Sequence, residues 1–165
     1  LSPVMRDPID GLAAWLLDRA APPGRAMIRQ LREGLLLSNK EERRLDAILS
    51  LVHRVEDDWD QAEIAVRKRL AAREEFPTVL ELIEARNVET GVRIRTDFTA
   101  LEASGLAPTP LLSGEDLIAA GLVPGPLFKE ILDRTYDAQL EGILGTPEEA
   151  LAHGLKISNT AQGDR

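Results

Sequence analysis

The chain has 165 residues, no cysteine and a formal net charge of −8. That length suffices for one domain, or two small ones sharing a core, without a disulfide or metal staple. The missing cysteines exclude disulfides, zinc–thiolate sites and cysteine nucleophiles, and no apolar run approaches the roughly 18 residues of a membrane span.

Aromatic residues make up 4% of the chain, and apolar residues recur at helical spacing, which predicts an all-α bundle of about nine short helices with no sheet. Asp7-Pro8 opens the first helix as N-cap and first-turn proline, and Pro22-Pro23-Gly24 stops it near Ala20. The second helix, roughly 24–36, sets Ile28, Leu31 and Leu35 on one side. Ser38-Asn39-Lys40-Glu41 is a capping box that starts the third, whose buried stripe is Leu45, Ile48, Leu49, Val52 and Val55.

A fourth helix over about 58–73 is expected to bury Trp59, Ala62, Val66 and Leu70; a fifth starts at Pro77 and a sixth near Val92, ending at Gly105. Pro108 and Pro110 mark residues 106–112 as a linker. Ser113-x-x-Asp116 caps a short helix closed by Gly121, Pro124-Gly125-Pro126 precedes a longer one to about Glu141, and Thr146-Pro147-Glu148-Glu149 caps the last. The expected organisation is a helical body over 1–105, the linker, a helical tail over 113–156 and a disordered C-terminus over 157–165.

Charge is uneven along the chain. Residues 1–52 carry eight basic and seven acidic side chains, residues 64–95 seven and five, and residues 97–165 four and eleven. A polyanion would approach the first half more easily than the second. Arg25, Arg29 and Arg32 share one helical face by their i, i+4, i+7 spacing, which suits sequence-independent contacts to a phosphate backbone; a solvated face is the plainer alternative. Arg67, Lys68, Arg69 and Arg73 form a basic collar near the end of the fourth helix, where cations are favoured by the dipole even without a ligand. Arg43 and Arg44 add a weaker pair. At the 121–126 joint, Gly121 and Gly125 would permit close backbone approach and Lys129 would add charge, although sharp-turn packing also accounts for both glycines.

Catalytic signals are weak. Asp58-Trp59-Asp60 has the D-x-D form used in two-metal nucleotidyl transfer, but on a helix its carboxylates point about 200° apart, and an acidic helix N-terminus explains the run. His53 and His153 are the only histidines, too few for a histidine-rich metal site. No metal or catalytic residue is assigned in this chain.

Two stretches resemble a known family. Leu35-Leu36-Leu37-Ser38-Asn39-Lys40-Glu41 is similar to a helix start in the bacterial tRNA nucleotidyltransferases and poly(A) polymerases, the class II CCA-adding family. Ser113-Gly114-Glu115-Asp116-Leu117-Ile118, Gly121-Leu122-Val123-Pro124-Gly125-Pro126, Gln139-Leu140-Glu141-Gly142 and Thr146-Pro147-Glu148-Glu149-Ala150-Leu151 resemble that family's C-terminal tail in order and spacing. The resemblance covers about a third of the chain. It implies an RNA-gripping body and tail, with tRNA as partner, a separate N-terminal catalytic head, and Mg²⁺ with CTP or ATP used by the full-length enzyme rather than by this chain. Leu1 in place of Met fits such a fragment. A cytoplasmic protein without membrane attachment, not catalytic on its own, is expected. The alternative is a helical protein–protein or self-association module, for instance a homodimer, that binds no RNA.

Overall fold

The computed structural model describes residues 7–18 and 25–163. Among them are nine helices and no strand: α1 Pro8–Leu17, α2 Arg25–Leu35, α3 Asn39–Asp58, α4 Ile64–Ala71, α5 Phe76–Arg86, α6 Val88–Ala103, α7 Gly114–Ala119, α8 Pro126–Leu140 and α9 Pro147–Gly163. The all-helical expectation therefore holds. The expected stop at Pro22-Pro23-Gly24 lies outside the described residues.

The chain divides into two compact units, one of Leu1–Ala62 with Leu70–Ser104, the other of Glu63–Arg69 with Gly105–Arg165. In the first, α3 packs against α1, α2 and α5, and α5 packs against α6. All five residues of the stripe expected on α3 are buried, as are Phe76, Val79 and Ile83 of α5, the helix packed against it. Trp59 stacks on Phe76 at 5.5 Å, Phe76 meets Phe98 at 5.1 Å, and the Trp59 indole N–H donates to Asp97 at 3.1 Å. Burying an indole is favourable only when its N–H keeps a partner, and Asp97 is that partner.

The α5–α6 hairpin turns on Asn87 alone, whose side chain accepts the Thr90 amide at 3.1 Å. So short a turn forces the helices together at Gly91, where a Cβ would lie 2.5 Å from the Glu84 Cα. Beside that contact Arg95 grips Glu84 with two bonds of 2.5 and 2.6 Å. The pairing holds the Glu84 carboxyl below its ordinary range and raises the Arg95 guanidinium, chiefly through the Arg95–Glu84 hydrogen bond itself.

In the second unit Leu112, Leu117, Ile131, Ala150 and Ile157 form a buried cluster drawn from α7, α8, α9 and the segment before them. Helix ends here are closed by short-range chemistry. Ser113 and Asp116 complete one capping box, with the Ser113 hydroxyl donating at 2.6 Å and its amide at 2.8 Å to the carboxylate. Thr146 and Glu149 complete another at α9. The Ser38–Glu41 box does the same for α3 in the first unit. In two of these boxes the serine hydroxyl, and after it the serine amide, holds the acid (Glu41, Asp116) below its usual carboxylate range.

Four expectations are corrected. The fourth helix does not begin at residue 58: α3 runs through Asp58, because burial of Trp59 carries the helical bonding on to a Trp59 N–H to Val55 carbonyl contact of 3.2 Å. Of the side chains expected inside, Trp59 and Leu70 are buried but Ala62 and Val66 are only half-buried. The sixth helix starts at Val88, four residues early, since Asn87 is its cap. The last helix continues to Gly163 instead of fraying at residue 157, and Ile157 and Ser158 are both buried.

Two predictions follow from these contacts. Gly91→Ala has to push the α5 backbone away, so it should cost about 1–3 kcal/mol by overpacking. Gly34→Ala on α2, with open space around it, should instead gain about 0.4–1 kcal/mol; urea denaturation of both variants checks the contrast. Acid sensitivity is the second. Glu41, Glu84 and Asp116 are all held below the ordinary carboxylate range when folded, each by a hydrogen bond to its partner. A lowered carboxyl pKa adds stability that is complete above the ordinary value and disappears as pH falls through the lowered one. Thermal melts should thus be level down to about pH 5 and drop below it, and Glu84→Gln should start lower at neutral pH and lose less on acidification.

Candidate nucleic-acid interface

The residues expected to meet phosphate fall in both units. Arg25, Arg29, Arg32, Arg43 and Arg73 belong to the first; Arg67, Lys68, Arg69, Gly121, Gly125 and Lys129 belong to the second. The α2 backbone carries Arg25, Arg29 and Arg32 along one face of a continuous helix. The side chains of Arg25 and Arg29 lie outside the described residues. Arg32 reaches across to Glu42 of α3 at 3.0 Å. Arg43 donates to the Asn39 carbonyl of its own helix at 3.0 Å. Its neighbour Arg44 turns inward instead, bonding the buried Asp10 at 2.9 Å with Asp7 at 3.7 Å, and so fastens α1 to α3. The Asp10 hydrogen bond raises the Arg44 guanidinium above its already high range.

The expected collar is not one exposed surface. Along α4, Arg67 is half-buried and engaged, Lys68 is buried, and Arg69 is exposed. Arg73 lies beyond the helix end, with its Nε 4.0 Å from Glu75. Arg69 donates to Asp137 at 2.6 Å and to the Asp133 carbonyl at 3.4 Å, and lies over the Tyr136 ring at 5.1 Å. At the 121–126 joint, Gly121 has φ +91 and closes α7, with the Leu122 amide bonding the Leu117 carbonyl at 3.0 Å. Gly125 has φ −173, an extended conformation open to any residue. Lys129 is 85% exposed and pairs with Asp133 at 2.6 Å.

Sequence reasoning missed the joinery on α8. Gln139 accepts the Leu111 amide and donates to the Thr109 carbonyl, both at 2.9 Å, while the Tyr136 hydroxyl donates to the Pro108 carbonyl at 3.0 Å. The 106–112 linker is therefore strapped to α8. Two residues beyond Gln139, Glu141 accepts the Ala65 amide at 2.6 Å and so caps the start of α4 from 76 residues away. Gly142, φ +77, then ends α8. Gln139, Glu141 and Gly142 stand together as a motif in the sequence, but the partners of the two side chains are remote along the chain and leave no signal there.

The D-x-D motif sits at the C-terminal end of α3, not at a helix N-terminus, so the dipole argument does not apply to it. Ion pairs compensate: Asp58 has Arg54 at 3.9 Å, and Asp60 is bridged by Arg93. No group of three or more acidic, histidine or cysteine side chains suited to a metal ion occurs among the described residues. His53 has a buried Nε2 without a hydrogen-bond partner, and His153 Nδ1 lies 3.4 Å from the hydroxyl of buried Thr135.

The described residues thus form two helical units whose cations are largely paired with carboxylates. No known protein-family profile matches the chain, and no solved structure does. The A-adding tRNA nucleotidyltransferase of Deinococcus radiodurans is 48% identical to it over 54 residues, which are 32% of this chain and 12% of that relative. The chain is thus similar, over a third of its length, to a tRNA nucleotidyltransferase.

The α8 joinery can be tested directly. Glu141→Ala removes the remote cap of α4, at a cost of about 1 kcal/mol. Hydrogen exchange should show the Ala65 amide losing protection, with amides of α3 unaffected.

Proposed function

We propose that this chain is an RNA-handling helical domain of a tRNA or polynucleotide nucleotidyltransferase. The observation that carries the reading is the 48% identity over 54 residues to an A-adding tRNA nucleotidyltransferase, supported by the body- and tail-like motifs of the sequence. On this reading a catalytic head outside these residues uses Mg²⁺ and CTP or ATP to add CMP or AMP to an RNA 3′ end in the cytoplasm. This domain positions the tRNA and performs no bond chemistry. Arg25, Arg29, Arg32, Arg43, Arg67, Arg69, Arg73 and Lys129 supply phosphate contacts, buried Lys68 does not, and Gly121 and Gly125 shape the joint beside them.

Affinity in this reading comes from counterion release, since phosphate contacts carry little sequence information. Carboxylates already hold Arg32, Arg69 and Lys129, so each phosphate contact at those residues is an exchange of partners. Moderate affinity with a steep salt dependence is the consequence.

A second reading, self-association, has one observation in its favour. Leu36 is 88% exposed and holds φ 55 without being glycine, next to Leu35 at 54% exposure. Sedimentation that shows a mass rising with concentration and an RNA-inert chain would favour it.

Fluorescence anisotropy with tRNA, at about 50 mM and 200 mM salt, tests the first reading. Binding should weaken at least about tenfold between the two, and Arg25→Ala/Arg29→Ala/Arg32→Ala should weaken it further and flatten the salt slope by about 2–3. An affinity indifferent to salt would refute the reading.

A further inference from the structure

The surroundings of Arg69 point to more than a structural ion pair. Its guanidinium spends one donor on Asp137 at 2.6 Å and one on the Asp133 carbonyl at 3.4 Å. A guanidinium has five N–H donors, so three have no protein acceptor among the described residues. The group lies over the Tyr136 ring at 5.1 Å from its centroid, and that ring is itself fixed by its hydroxyl bond to Pro108 at 3.0 Å. The side chains of Arg69 and Asp137 are 42% and 45% exposed.

A contact with an anchored ring holds the cation in place without using its donors, which suits a phosphate ligand. The carboxylate bond, in contrast, is solvent-accessible and weak in the manner of exposed ion pairs. One turn earlier on α8, Asp133 holds Lys129 at 2.6 Å. Two successive acids of α8 therefore occupy two of the second unit's cations.

We propose that Asp137 is an internal decoy for RNA phosphate. In the free chain it occupies Arg69; on RNA binding the guanidinium stays on Tyr136 and exchanges the carboxylate for a phosphate oxygen. The decoy rests on the RNA-handling reading above and adds its regulation: short or poorly placed polyanions fail to displace Asp137, and a well-positioned RNA succeeds. Removing the decoy should strengthen RNA binding through Arg69 alone.

The test compares tRNA binding by the full 165-residue chain and by Asp137→Asn, Glu148→Gln, Arg69→Ala and Asp137→Asn/Arg69→Ala variants. Glu148 is exposed on α9, so Glu148→Gln changes net charge equally without touching Arg69. Asp137→Asn should bind about fivefold tighter at ~50 mM salt, which is ~1 kcal/mol at 1.4 kcal/mol per decade. Glu148→Gln should gain less than about twofold, and Arg69→Ala should erase the Asp137→Asn gain. Equal gains in the two charge variants would overturn the decoy and leave RNA binding standing. No binding by any chain at low salt would overturn the RNA-handling reading and the decoy with it. A readout independent of substitution is the Arg69 Nε–H resonance of the unmutated chain: it should move when tRNA is added, and a stationary signal in a binding chain refutes the exchange.

Discussion

Each helix leaves four amides and four carbonyls without an intrahelical partner, and short helices have little else with which to offset that cost. In a chain whose helices run from six to twenty residues, satisfying helix ends is the constraint from which the architecture follows. Asp7, Ser38, Asn87 and Ser113 supply N-caps from their own sequence neighbourhood. Gly121 and Gly142 supply the left-handed stops. Where no local residue serves, a distant one does, as Glu141 does for α4. The motifs that make the sequence resemble nucleotidyltransferases are largely these terminal devices. In this chain those motifs serve as helix joinery.

The second theme is how the chain spends its cations. Arg32, Arg44, Arg54, Arg69, Arg86, Arg93, Arg95, Lys129 and Arg134 each meet a carboxylate. Most of these pairs are exposed and individually weak; Arg44 with buried Asp10 is the exception, because removing either partner strands a charge in the core. With a net charge of −8, acids outnumber cations along the chain, and at these positions each cation already has an internal counter-charge.

Much of the fold was legible because its signals are short-range. The Ser38–Glu41 and Ser113–Asp116 boxes span three residues, and the α3 stripe needs only helical periodicity. The failures come from packing that overrides local pattern. Trp59 is drawn into the core and carries α3 into the acidic run as far as Asp58, which relocates the D-x-D motif to the opposite pole of a helix. Buried Ile157 and Ser158 sustain α9 where the sequence looks polar and uncapped. At the candidate interface, basic residues could be listed from the sequence, but not their partners. Arg69 and Asp137 are 68 residues apart, and no spacing rule connects them.

The grouping of residues 63–69 with the C-terminal unit has a bearing on the order of events during synthesis. Glu141 caps Ala65 across 76 positions and Asp137 grips Arg69 across 68. A ribosome adding 5–20 residues per second takes roughly 4–15 s to cover such an interval. For that time the start of α4 has been made but neither its cap nor its clasp exists. The second unit closes only when α8 is complete, so a nascent chain carries an uncapped, arginine-bearing segment for seconds before its own acids arrive.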